Sequence, residues 1–184
     1  MGVRPAALSL AVVLLMAGGV SATRAATAGQ VDNLIVPGVR VGKWTLTMTV
    51  DELLKMNGPA TPILFHAGME EALSARRDSW TYGWQSPALG AETFDKKKVE
   101  DLIAGVRGGV VPYKTNRNVA LLSGSRDDVL KAYGKPTVIL KAASAGLSDF
   151  VYDHIGIAFR LENTGAIHTI EVFRPGKARD LWKF

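Results

Sequence analysis

The chain has 184 residues, of which 47% are hydrophobic, with a formal net charge of +5 and no cysteine. Without cysteine there is neither a disulfide framework nor a thiol to carry lipid, so buried apolar side chains must hold the fold. The charge falls to +3 once Arg4 and Arg24 are set aside, and basic and acidic residues are mixed, which is too small and too even for a nucleic-acid footprint.

Residues 1–28 have the three parts of a secretory signal peptide. MGVRP carries one positive charge, AALSLAVVLLMAGGV is an apolar run, and SATRAATA turns small and polar. The A-x-A pair Ala26 and Ala28 is the best cleavage point, with Ala22 and Ala25 weaker, and the apolar run is short for a membrane span. The expectation is a periplasmic or secreted product with no stable membrane anchor. Residues 29–34 are expected to be a flexible N-terminus. About 155 residues then remain, enough for one compact core or two small fused ones.

A phrase recurs along that remainder. MTVDELLKMNGPA begins at 48 and GSRDDVLKAYGKP begins at 124. In the first, Thr49 caps a short helix, Glu52 completes a capping box, Gly58 stops the helix in a left-handed conformation and Pro59 prevents its continuation. Leu53 and Met56, or less cleanly Leu54 and Met56, supply the apolar stripe. In the second, Ser125 caps, Asp128 reaches back less far than a glutamate would, Val129, Leu130 and Tyr133 are apolar, and Gly134 and Pro136 end the helix. Neither helix is long enough to stand alone in water.

Each phrase has matching flanks. Val36-Pro37 upstream corresponds to Val111-Pro112, and three strand-like segments follow downstream: 79–84, 89–95 and 98–104 in the first copy, 149–154, 155–161 and 166–173 in the second. Lys96-Lys97 and 162–165 read as hairpin turns, and the run Lys96-Lys97-Lys98, between Asp95 and Glu100, as a solvated one. The first copy has an extra segment with helical content around Met69–Ala75. The predicted fold is α+β: two tandem repeats, 35–107 and 108–174, each a short helix or helix pair on an antiparallel meander of three to four strands. Gly108-Gly109 reads as the joint, and 175–184 as a basic tail with Trp182 and Phe184 that packs back on the body or, second, offers a small docking peptide.

The helix–glycine–proline phrase, followed by a tyrosine-bearing strand and a glycine-led strand, resembles the SmpA/OmlA (BamE-like) family. In tandem it is similar to the β-lactamase-inhibitor protein fold. The resemblance covers nearly all of 35–173 and implies a non-enzymatic cell-envelope module that works by protein contact. The absence of cysteine removes the lipid anchor and the disulfide staples associated with such relatives.

Trp80, Tyr82 and Trp84 alternate along one strand, and Phe150, Tyr152 and His154 hold the matching places in the other copy. These six form either a row of contact rings on an open sheet face or core beneath the helices, the commoner fate of strand aromatics. Catalytic signatures are thin. There is no G-x-S-x-G or H-E-x-x-H, and Gly42-Lys43-Trp44-Thr45 lacks the earlier glycine of a phosphate loop. His66 and Glu70 have a spacing that chelates only if helical; His168 belongs to an alternating strand and is expected to face solvent. Asp95 and Glu100 flank a turn rather than a cleft. The expectation is therefore a binding module with no cofactor or metal and a protein partner. An envelope enzyme or carbohydrate-binding protein is the alternative.

Overall fold

The computed structural model describes residues 32–65, 77–85, 89–105, 112–142 and 146–184. The expected helix around 69–75, His66 with Glu70, and the Gly108-Gly109 joint lie outside them.

Both helices start and stop through their capping residues. Thr49 is extended and precedes α1 (Val50–Asn57). Its hydroxyl accepts from the Glu52 N–H at 3.2 Å, while Glu52 Oε2 accepts from the Thr49 N–H at 2.7 Å. Ser125 begins α2 (Arg126–Tyr133) in the same way, with its hydroxyl accepting from the Asp128 N–H at 3.3 Å. Asp128 closes the box in full: Oδ2 lies 2.9 Å from the Ser125 nitrogen and 2.7 Å from its hydroxyl. The shorter acid reaches as well as the glutamate does, contrary to expectation.

The stops also differ from the sequence reading. Gly58 (φ 86°, ψ 179°) and Gly134 (φ 74°, ψ −153°) have positive φ with extended ψ, a region essentially confined to glycine, rather than the left-handed helical one. On α1 the buried stripe is Val50 and Leu53, and Met56 is exposed. On α2 it is Val129 and Tyr133, and Leu130 is exposed.

Eight strands form one antiparallel sheet. In chain order they are β4 (Ile63–Phe65), β5 (Ser79–Trp84), β6 (Leu89–Thr93), β7 (Asp101–Gly105), β9 (Val138–Ala142), β10 (Leu147–Tyr152), β11 (Ile157–Glu162) and β12 (Ile167–Phe173). Across the sheet they run β4-β5-β6-β7-β12-β11-β10-β9, so β7 meets β12 at the centre, from Asp101↔Phe173 to Gly105↔Thr169. The six predicted strands are present, β5 with the ends expected and the other five with shifted ends, and β4 and β9 add an outer strand to each meander. β7 begins later than expected because Asp95 organises the turn before it: its Oδ1 accepts from the Lys97 and Lys98 N–H groups, both at 2.8 Å.

The sheet has two differently covered faces. Beneath α1 and α2, Tyr82, Trp84, Leu102, Phe159 and Ile170 join Val50, Leu53 and Val129 in the main core. On the opposite face Val151, Ala158 and Phe173 pack against α3 (Ala178–Leu181) and Trp182. The tail folds back onto the sheet, the first of the two readings. Phe173 and Trp182 meet edge to face at 5.2 Å, and the Ala178 N–H donates to Asp153 Oδ1 at 2.9 Å.

A second sheet of order β3-β2-β1-β8 lies upstream of the helices in sequence: β1 (Leu34–Val36), β2 (Arg40–Val41), β3 (Trp44–Thr45) and β8 (Lys114–Thr115). β1 and β8 pair in parallel. Residues 32–34, expected to be flexible, are held here. Asp32 pairs with Arg40 at 2.6 Å, and the Asn33 amide donates to the Pro112 carbonyl at 2.9 Å.

Candidate functional site

The six residues read as a contact row do not form one. Tyr82, Trp84, Phe150 and Tyr152 are buried in the main core because α1 and α2 cover the face to which alternation sends them. Trp80 is half-buried, with the Lys96 ammonium 3.4 Å from its ring centroid. His154 is exposed but lies on a 3-10 turn (Asp153–Ile155), not on the strand, since Gly156 (φ 71°, ψ 48°) turns the chain there. A Cβ on Gly156 would lie 2.1 Å from the Phe173 carbonyl oxygen, so no other residue fits.

The buried rings lock the helices instead. The Trp84 indole donates to the Gly58 carbonyl at 3.1 Å, and the Tyr152 hydroxyl donates to the Gly134 carbonyl at 2.9 Å. The last residue of β5 and the last of β10 thus satisfy the carbonyls left open at the two helix stops. Burial pushes the Tyr152 hydroxyl up to about 12, with the neighbouring Tyr133 adding to the shift. The structural residues Thr49, Gly58, Ser125 and Gly134 act at these caps, and Pro136 is buried just after.

Elsewhere the ionisable groups do structural work. Glu52 and Asp128 sit below their ordinary values because Thr49 and Ser125 donate to them, and Asp95 because backbone N–H groups do. Arg160 grips Asp149 with two bonds of 2.7 and 2.8 Å, and the Trp182 indole reaches the same carboxylate at 3.4 Å. This pair secures the tail against the sheet. Arg174 joins Glu100 (2.7 Å) to the Leu46 carbonyl (2.6 Å), tying the end of β12 to the first half. His168, part-exposed, lies 3.4 Å from Glu162. Among the described residues no three His, Asp or Glu side chains group to hold a metal.

Among the described residues, one surface feature with unspent binding capacity is a groove of about 350 Å³ between α2 and β9. Arg126, Lys141, Ser148 and Asn163 supply its polar groups, while Ile139, Leu147 and Phe150 supply its apolar wall. Arg126 opens α2, and its guanidinium lies 6.0 Å from the Phe150 ring. Its Nε is enclosed without a hydrogen-bond partner, a state that costs about 1–3 kcal/mol when uncompensated. Ile139 on the outer strand is 46% exposed. A second groove, of about 550 Å³, is lined by Arg77, Asp78, Phe94, Asp180 and Lys183.

Sequence reasoning passed over Arg126, Lys141, Ser148 and Asn163. The structure shifts the match between the two strands by two residues from the sequence reading: Tyr152 answers to Trp84, and Ser148, not Phe150, stands second in β10 where Trp80 stands second in β5. A small residue in the place of a large ring leaves room. Compared with known proteins, the chain matches no family model, no curated protein and no solved structure. No helix among the described residues is long and apolar enough to cross a membrane.

Proposed function

We propose that the chain is a non-catalytic, exported module of the cell envelope, built from two copies of one helix-on-meander unit, that recognises a protein partner through its joined sheet. The observation that carries this reading is the β7–β12 pairing, which joins two four-stranded meanders into one sheet whose outer strands are β4 and β9. Among the described residues no strand pairs with the outer side of β9, and such an edge beside a groove is a site at which an extended partner segment can add.

The two-copy reading is supported by bonds that recur in the same places. Val50 N–H donates to Lys97 and Arg126 N–H to Gly165, both at 2.8 Å; Thr49 bridges Lys98 and Ser125 bridges Ala166. The indole and hydroxyl bonds to Gly58 and Gly134 make a further pair. Helix positions Thr49 and Gly58 recur as Ser125 and Gly134 at one spacing, and positions on β5 to β7 recur on β10 to β12 at a second, while β4 and β9 follow neither. The resemblance to the SmpA/OmlA family and the leader-like residues 1–28 support the envelope setting.

The purified full chain, carrying a photo-crosslinker at Ile139, at Ile63 or on the outward face of α2 at Lys131, tests this in an envelope extract. One protein captured reproducibly from the strand positions and not from Lys131 supports the reading. Turnover of wall glycan with no protein captured refutes it. That second outcome belongs to the alternative, an envelope enzyme or carbohydrate-binding protein. It is favoured by the groove in which the exposed Phe94 ring stands among Arg77, Asp78, Asp180 and Lys183.

A further inference from the structure

The groove beside β9 differs in kind from its counterpart in the first half. There, the first residue of the helix is the buried Val50, and the second residue of the inner strand is Trp80, with Lys96 stacked on it. In the second half the same places hold Arg126 and Ser148. An apolar plug is replaced by an open, cationic slot.

Its chemistry fixes what fits. Arg126 Nε faces no acceptor, and among the described residues neither Arg126 nor Lys141 has a carboxylate within ion-pair distance. The lining contains two cations and no acid. Next to them Ile139, Leu147 and Phe150 offer an apolar wall. The slot runs beside the five-residue edge strand β9. A strand added there turns alternate side chains towards the slot, so the residues it reads are spaced by two.

We propose that an acidic, extended segment of the partner protein adds alongside β9. One carboxylate is received by Arg126 and Lys141, and an apolar side chain two residues away packs on Ile139, Leu147 and Phe150. Backbone bonds to β9 supply affinity, and the slot supplies selection for acid followed by apolar residue. The inference rests on the protein-recognition reading and adds the partner's chemistry to it.

The test is fluorescence anisotropy of the full chain with the labelled peptide Thr-Asp-Thr-Val-Thr-Asp-Thr-Val, a copy with lysine for aspartate, and a backbone N-methylated copy. The acidic peptide is expected to bind, the other two at least about tenfold more weakly, and Arg126→Gln and Lys141→Gln each to lose about tenfold, as removal of a charge-assisted bond implies. Binding should weaken as salt shortens the screening length from about 10 Å at 0.1 M to about 3 Å at 1 M. Circular dichroism checks that the variants fold, and Lys141→Glu, on an exposed side chain, provides a second probe. Equal binding of acidic and lysine peptides overturns the inference. So does indifference to both substitutions, or Arg126-dependent sedimentation with phosphatidylglycerol vesicles in place of peptide binding. A protein still cross-linked at Ile139 in the Arg126→Gln, Lys141→Gln chain overturns this inference and leaves the module reading standing; no protein partner at any position removes both.

Discussion

Replacing Gly134 with alanine isolates the helix stop from everything around it. The glycine holds φ 74° and ψ −153°, and a Cβ built there meets nothing within 4 Å, so the penalty is backbone strain with no clash. A non-glycine residue in that region costs roughly 1–3 kcal/mol. For a domain of this size each kcal/mol moves Tm by roughly 2–4 °C, so a fall of roughly 2–12 °C is expected. Gly58→Ala, at φ 86° and ψ 179° and also free of neighbours, should fall by a similar amount, because each stop is followed by the same kind of clasp. Gly83→Ala is the control: its neighbourhood is open, its φ is not in the positive range, and it should stay within about 0.5 kcal/mol of the parent. Urea unfolding followed by circular dichroism reads all three, with unchanged m-values confirming comparable unfolded states. If Gly134→Ala and Gly58→Ala unfold with the parent, the stops do not hold the helices and the reasoning is wrong.

Other outcomes follow from burial and charge. All four tyrosines, Tyr82, Tyr113, Tyr133 and Tyr152, are shifted upward, chiefly by burial, Tyr113 and Tyr152 to about 12. The unfolded chain therefore loses phenolic protons first, so stability should decline as pH rises from about 10 towards 12. Absorbance at alkaline pH should show phenolate appearing with unfolding and not before it. Glu52 and Asp128 are shifted downward by their caps, so as pH falls the unfolded chain takes up protons first and stability is lost through the ordinary carboxylate range and below. Thr49→Ala and Ser125→Ala should flatten that acid limb in thermal melts. Trp182→Ala should cost about 3–5 kcal/mol, because the fully buried indole packs on Phe173 and reaches Asp149.

Local chemistry was legible in the sequence where one residue decides the outcome alone. Thr49, Ser125, Gly58 and Gly134 announce the helix ends, and alternation finds β5, β10 and β12. The outer strands were not legible, since Ile63–Phe65 and Val138–Ala142 are short apolar runs that become strands only by pairing with β5 and β10. The same limit hides the small sheet, whose strands have two or three residues and depend on the β1–β8 contact between distant segments. Alternation also told which aromatics share a face without telling which face the helices cover, and that decided the fate of Tyr82, Trp84, Phe150 and Tyr152. The site was the least legible part. Arg126 reads as an ordinary first-turn residue, and only the place of β9 beside α2 makes it a wall of a groove.

Hydrogen exchange of the full chain, alone and with its cross-linked partner, measures the engaged surface directly. The account predicts new protection concentrated in 138–142 and 146–150, with the amides around Phe94 and the outward face of α1 unchanged. Protection confined to the Phe94–Asp180 groove, or none at all along β9, would contradict it.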